Sequence, residues 1–118
     1  MNAAQKLIEQ DGVLAIVGPN NSGDTIASAE ISQAAKIPQI TNTGTNEAVT
    51  KVGDYVFRAC IIDPFQGKVV AQFAYENLGL RKTAVIYDNA DTYSAGLDKA
   101  FVDAFVALGG EVVANEAF

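Results

Sequence analysis

Histidine is absent from this chain, and cysteine occurs once, at Cys60. Without them there is no ordinary zinc site and no Ser/His or Cys/His nucleophile–base pair. A lone cysteine cannot form an intrachain disulfide. Lying in the apolar run Tyr55–Ile62, it reads as a small buried hydrophobe. Positive charge is sparse as well, with eight Lys and Arg against 14 Asp and Glu and a formal charge of −6. Lys51, Arg58, Lys68, Arg81 and Lys82 are scattered, so the concentrated cationic surface that nucleic acids or anionic membranes need is missing. No apolar run is long enough to span a bilayer, and none reads as a secretory signal peptide. No fixed-period repeat or low-complexity tract interrupts the chain. No catalytic residue, metal or cofactor is expected.

What remains is 118 residues, 49% hydrophobic and 19% charged, enough for one packed α/β unit. Val13 to Thr25, VLAIVGPNNSGDT, is its most informative stretch. An apolar run, a Gly-Pro break, a polar loop and an Asp/Thr-led helix make a strand–loop–helix unit. Backbone N–H groups and the positive end of the helix dipole then converge on one spot suited to an anion. Gly18 to Thr25 follows the spacing of a phosphate loop, but Asp24 stands where that loop carries lysine. This charge reversal argues against nucleotide phosphate and leaves room for a smaller anion, such as an amino-acid carboxylate held by Ser22 and backbone amides.

Along the chain, Met1–Gln10 reads as a helix, with Ala4, Leu7 and Ile8 at helical spacing. Val13–Val17 reads as a strand buried on both faces. Asp24–Lys36 is a predicted helix with Ala27, Ile31, Ala34 and Ala35 on one side. Further strands are expected at Ile37–Thr41, Tyr55–Ile62, Thr83–Tyr87 and Val112–Asn115. Glu47–Thr50 makes one helical turn. Phe65–Leu78 is a predicted helix with Val69, Val70, Phe73 and Leu78 inward, after a break at Asp63-Pro64. Leu97, Phe101, Ala104, Phe105 and Leu108 form the cleanest amphipathic stripe, closed by Gly109-Gly110. Alternating strands and helices predict a three-layer fold, a largely parallel five-stranded sheet with helices on both faces, flavodoxin-like or periplasmic-binding-protein-like. Its ligand loops would be Gly18–Asp24, Asn42–Asn46 and Asp88–Ser94, beyond the strands' carboxyl ends. Asp88 and Asp91 read as solvated loop acids rather than magnesium ligands.

The ordered set AAQKLIEQDGVLAIVGPNNSG, AAKIPQITNTGTNEAVT, YVFR and AVIYDNADTYSAGL resembles the branched-chain amino-acid type of periplasmic solute-binding protein. These are receptors of ABC uptake systems with the bilobed type I periplasmic-binding fold. The resemblance runs over essentially all 118 residues. It implies the middle third of such a protein, with 1–62 from the first lobe, 63–118 from the second, and Ile61–Pro64 as a hinge crossing. It further implies a periplasmic or extracellular parent, an ABC permease as the parent's partner and a small amino acid as ligand.

Carried over by position, Ser22 would hold the ligand's α-carboxylate, and the Thr43 carbonyl would accept from its α-ammonium. Thr45 would join that grip, and Tyr93 would close over it as an aromatic. The loop at Asp88–Thr92 is one residue longer than usual in the family, and Ser94 stands where glycine is common. Without the resemblance, Ser22 reads as an ordinary helix N-terminal residue, and Thr43 and Thr45 as turn formers. Two other functions stay open: an excised or engineered fragment that folds without binding, and a nucleotide or phosphate enzyme. A fragment with bare strand edges is expected to complete its sheet in a homodimer, by exchange of a strand or of a half.

Overall fold

A computed structural model describes residues 3–118 of the chain. The chain divides into two compact units, one ending at Cys60 and the other running Ile61–Phe118.

The first unit contains α1 (Ala3–Glu9), β1 (Ile16–Val17), α2 (Ser22–Ala35), β2 (Gln39–Thr41), α3 (Ala48–Lys51) and β3 (Val56–Arg58). The predicted first helix is present from Ala3; its first two positions lie outside the described residues. The strands pair in parallel in the order β1-β2-β3, with Ile16 opposite Gln39 and Gln39 opposite Val56. Side chains alternate across a pleated strand, so this row lies on one face and Val17, Ile40 and Phe57 lie on the other. Ile16, Gln39 and Val56 are buried, while Val17 is 83% exposed and Ile40 and Phe57 are exposed as well. The small core joins Ala29 of α2, Val49 of α3 and Val56, flanked by Ile26 and Val52.

Burial of α2 departs from expectation. Its buried residues are Ser22, Thr25, Ser28, Ala29 and Ser32, at helical spacing, while Ala27, Ala34 and Ala35 are exposed. The helix presents a hydroxyl stripe to the sheet, and Gln39 answers it from β2. Gln39 is fully buried. Its Nε2 donates to Ser28 Oγ at 2.8 Å and to the Gly18 carbonyl at 3.1 Å. Its Oε1 accepts from Ser32 Oγ at 2.7 Å. Buried polar groups persist when their partners are supplied, and this contact supplies them.

The second unit contains α4 (Asp63–Gln72), β4 (Lys82–Tyr87), α5 (Thr92–Ala107) and β5 (Glu111–Ala117), and α4 continues as a π-helical turn over Phe73–Asn77. Pro64 sits in the first turn of α4, where its missing N–H costs nothing. The strands β4 and β5 pair in parallel, with a register shift between Thr83 and Ala84. Helix α4 meets α5 through small residues. A Cβ on Gly67 would lie 2.6 Å from the Ala100 carbonyl carbon and from the Phe101 nitrogen. Phe105 is fully buried, stacks on Phe101 with centroids 5.5 Å apart and meets the Tyr75 ring edge-on.

Several expectations are corrected here. The α/β character and parallel pairing are found, but the five strands form a three-stranded and a two-stranded sheet, not one five-stranded sheet. Among the described residues, helices do not cover both faces of the first sheet, whose row Val17, Ile40 and Phe57 is exposed, and β1 is two residues long rather than buried on both faces. On α4 and the turn after it, Val69, Val70, Phe73 and Leu78 are exposed. The buried side is Asp63, Gly67 and Ala71, because close approach to α5 selects small residues. Cys60 is half-buried.

Candidate functional site

The loops after β1 and β2 lie together in the first unit. Gly18 takes φ +111°, a left-handed conformation that suits glycine, and its N–H donates to the Ile40 carbonyl at 2.8 Å. Asn21 caps α2: its Oδ1 accepts from the Asp24 N–H at 2.7 Å, and its Nδ2 donates to the Asp24 carboxylate at 2.7 Å. Asp24 is therefore the third residue of the helix and part of its cap, and its negative charge favours the dipole's positive end. That carboxylate occupies the place where a phosphate loop carries its cation, which counts against the nucleotide reading.

Ser22, expected near the helix start, is the first residue of α2 and is fully buried. Its Oγ accepts from the Asn46 N–H at 3.2 Å, a bond that leaves the hydroxyl proton unused. Amides at the first two positions of a helix have no partner within it. Thr45 is buried, and its Oγ1 has no hydrogen-bond partner. Thr43 is exposed and donates from Oγ1 to the Asn20 carbonyl at 2.6 Å. Ser22, Thr43 and Thr45 thus come together where the two loops meet.

Residues that the sequence reading passed over hold those loops. The Arg58 guanidinium, at the end of β3, donates to the carbonyls of Gly44 at 3.1 Å and Asn46 at 2.7 Å, and to Thr50 Oγ1 at 2.8 Å. Thr41, at the end of β2, donates to the Pro19 carbonyl at 2.8 Å and accepts from the Gly44 N–H at 2.9 Å. A usable signal was present: strand residues Gln39 and Thr41, two apart, face the Ser/Thr stripe at 22, 25, 28 and 32.

Tyr93 belongs to the second unit, in the first turn of α5. Its hydroxyl donates to Gln66 Oε1 at 3.4 Å, and its ring lines a cavity of about 220 Å³ with Val70, Val85, Leu97 and Phe101. Asp91 caps α5, accepting from the Ser94 N–H at 2.9 Å, and Asp88 accepts from the Ala90 N–H at 2.8 Å. Both carboxylates are engaged by backbone, as expected of loop acids.

The periplasmic binding protein family model matches residues 1–118. An amino acid binding protein of Pseudomonas aeruginosa is 40% identical over 98 residues, covering 82% of this chain and 26% of that protein. The Leu/Ile/Val-binding protein BraC3 of Rhizobium johnstonii is 31% identical over 118 residues, covering 99% of this chain and 32% of that protein. Among solved structures, the leucine binding protein LivK of Thermotoga maritima matches with a TM-score of 0.92 and 41% identity, over 98% of this chain and 33% of that chain. The branched-chain amino acid transporter substrate binding protein LivJ of Streptococcus pneumoniae, in complex with isoleucine, matches with a TM-score of 0.89 and 36% identity, covering 98% of this chain and 32% of that chain. The chain spans about a quarter to a third of the length of these relatives. With the family model matched from residue 1 to residue 118 and parallel strands feeding polar loops, the chain belongs to the periplasmic binding protein family.

Proposed function

We propose that the chain is the part of an ABC-import solute-binding protein that grips the polar end of a small aliphatic amino acid. The observation that carries this reading is the buried Thr45 hydroxyl, left without a partner beside Ser22 at the start of the 14-residue α2. A buried hydroxyl without a partner is costly unless a ligand completes it. Ser22 Oγ, Thr45 Oγ1 and the first amides of α2 offer donors, which suit an α-carboxylate. The Thr43 carbonyl would accept from the α-ammonium. Tyr93 is proposed as a further, aromatic ligand contact. The reading is non-catalytic.

Segments 1–62 and 63–118 would serve as parts of the first and second lobes of a periplasmic or extracellular receptor that delivers to an ABC permease. The relatives' printed names, amino acid binding protein and Leu/Ile/Val-binding protein, support the ligand class. The chain alone offers only part of a receptor's contacts, so affinity is expected to be weak. The exposed row Val17, Ile40 and Phe57 supports self-association into a homodimer, which light scattering would register as a doubled mass. Isothermal titration with leucine, isoleucine, valine and alanine tests the grip. Saturable heat that Ser22→Ala weakens about tenfold supports it, that being the loss of one charge-assisted hydrogen bond. No heat from folded protein refutes binding by this chain and favours a fragment that folds without a ligand function.

A further inference from the structure

We propose that the Thr41 hydroxyl is the positioning link that sets the register of the two ligand loops against each other. The proposal rests on the amino-acid reading for its purpose, and on Thr41 geometry alone for its existence. Thr41 is fully buried at the carboxyl end of β2. A hydroxyl has one proton and two lone pairs. Thr41 Oγ1 gives its proton to the Pro19 carbonyl at 2.8 Å and accepts the Gly44 N–H at 2.9 Å. Neither partner can reverse its role, because a carbonyl only accepts and an amide N–H only donates. The orientation of the hydroxyl is therefore fixed by chemistry.

Its two partners belong to the two loops. Pro19 lies three residues before Ser22, and Gly44 immediately precedes Thr45. The approach at Gly44 is close: a Cβ there would lie 2.9 Å from Thr41 Oγ1, 3.0 Å from Thr41 Cγ2 and 3.2 Å from Thr25 Oγ1. Only glycine lets this amide reach the hydroxyl without displacing it. Thr25 reinforces the near side, donating to the Asn21 carbonyl at 2.5 Å with Pro19 O at 3.2 Å.

Thr43 Oγ1 to Asn20 O and Asn46 N–H to Ser22 Oγ also cross between the loops. Both use groups that the proposed ligand would engage or adjoin, so they are free to rearrange when it binds. The Thr41 link uses none of them. It lies buried and is formed in the ligand-free chain, which is what a preorganised binding site requires of its support.

Two variants separate hydroxyl from bulk. Thr41→Val keeps the shape and loses the hydroxyl; Thr41→Ser keeps the hydroxyl and loses a methyl. In ligand-free protein, amide exchange at Gly44 is expected to speed about tenfold in Thr41→Val, the loss of one buried hydrogen bond, and to stay unchanged in Thr41→Ser. Amide chemical shifts at Asn20–Ser22 and Gly44–Asn46 should move together in the valine variant and hold in the serine variant. Gly44 protection retained in Thr41→Val, shifts confined to one loop, or serine behaving like valine would each overturn the link. Should Thr41→Val not fold, Thr41→Ser still decides, because loss of Gly44 protection there is incompatible with the proposal. Leucine titration forms a separate arm: where the native chain binds, valine should weaken affinity about tenfold and serine should not. A native chain that binds no amino acid overturns the ligand reading, while exchange and shifts still decide the link.

Discussion

Gln39→Leu is expected to lower the opening free energy of the first unit by about 3 kcal/mol, given about 1 kcal/mol for each of three buried hydrogen bonds. Those bonds run to Ser28 Oγ, the Gly18 carbonyl and from Ser32 Oγ, all at 3.1 Å or less, around a side chain with no exposed surface. Leucine fills nearly the same volume, so the cavity contribution is small and added apolar burial returns about 1 kcal/mol. Stripping the Gly18 carbonyl of its donor costs about as much again. Ser28 Oγ already donates to the Thr25 carbonyl and Ser32 Oγ can turn to the Ala29 carbonyl, each 3.1 Å away, so they add little. Native-state hydrogen exchange at the amides of Ile16, Gly18 and Gln39 reads this unit by residue, since all three donate across the sheet. Adding Ser28→Ala and Ser32→Ala to Gln39→Leu should add little further cost, because both hydroxyls have by then lost their partner on β2. A loss below about 1 kcal/mol for Gln39→Leu, or three fully additive costs, would refute a polar network as the contact between α2 and β2.

Two further outcomes follow from the second unit. Gly67→Ala pushes a methyl into the backbone of Ala100 and Phe101 and should cost about 1–3 kcal/mol as the two helices separate, lowering the melting temperature; native stability in that variant would show that α4 and α5 do not meet there. Asp91→Ala removes the cap of α5 and should cost about 1 kcal/mol, with Asp91→Asn restoring most of it because the amide oxygen still accepts from Ser94; equal losses in both variants, by chemical denaturation, would deny the cap.

Sequence periodicity locates what depends on local apolar spacing and fails where polar groups do the packing. The stripe of α5 through Leu97, Phe101 and Phe105 was legible because its leucine and phenylalanines share one helix face, while Val106 lies exposed off it. The buried face of α2 was not, because Ser22, Thr25, Ser28 and Ser32 mimic a solvent side until Gln39 is known to lie opposite them. Residues Val69 and Val70 misled in the other sense: Gly67 and Ala71 make the closer contact with α5, and a pattern read for bulk ignores them. In the first unit strand lengths were overestimated for a related reason, whereas β4 and β5 run longer than expected. Val13 and Leu14 are apolar, but only Ile16 and Val17 pair with β2. Among the site residues, Ser22 came from the loop as well as from family resemblance, and Thr43, Thr45 and Tyr93 from resemblance alone. Thr41 had only its spacing from Gln39 as a signal, and Arg58, whose role depends on partners some distance along the chain, had no local signature.

Hydrogen-bond capacity gives the site its chemical sign. Beneath the loops, the carbonyls of Gly18, Pro19, Asn21, Gly44 and Asn46 are already met by Gln39, Thr41, Thr25 and Arg58. The loop acceptors are thus drawn inward, towards donors that the fold supplies. Beside the Thr43 carbonyl, what the same loops retain is mostly of the opposite kind: the Thr45 hydroxyl, the Ser22 proton and the first amides of α2. A place where buried acceptors are met and donors remain selects a ligand that brings oxygen and negative charge. Asp24, fixed in the cap of α2, limits how much negative charge is welcome. Under the proposed amino-acid reading, one carboxylate would suit that balance and a polyphosphate would not, so the residue that caps the helix would also set the discrimination between amino acid and nucleotide.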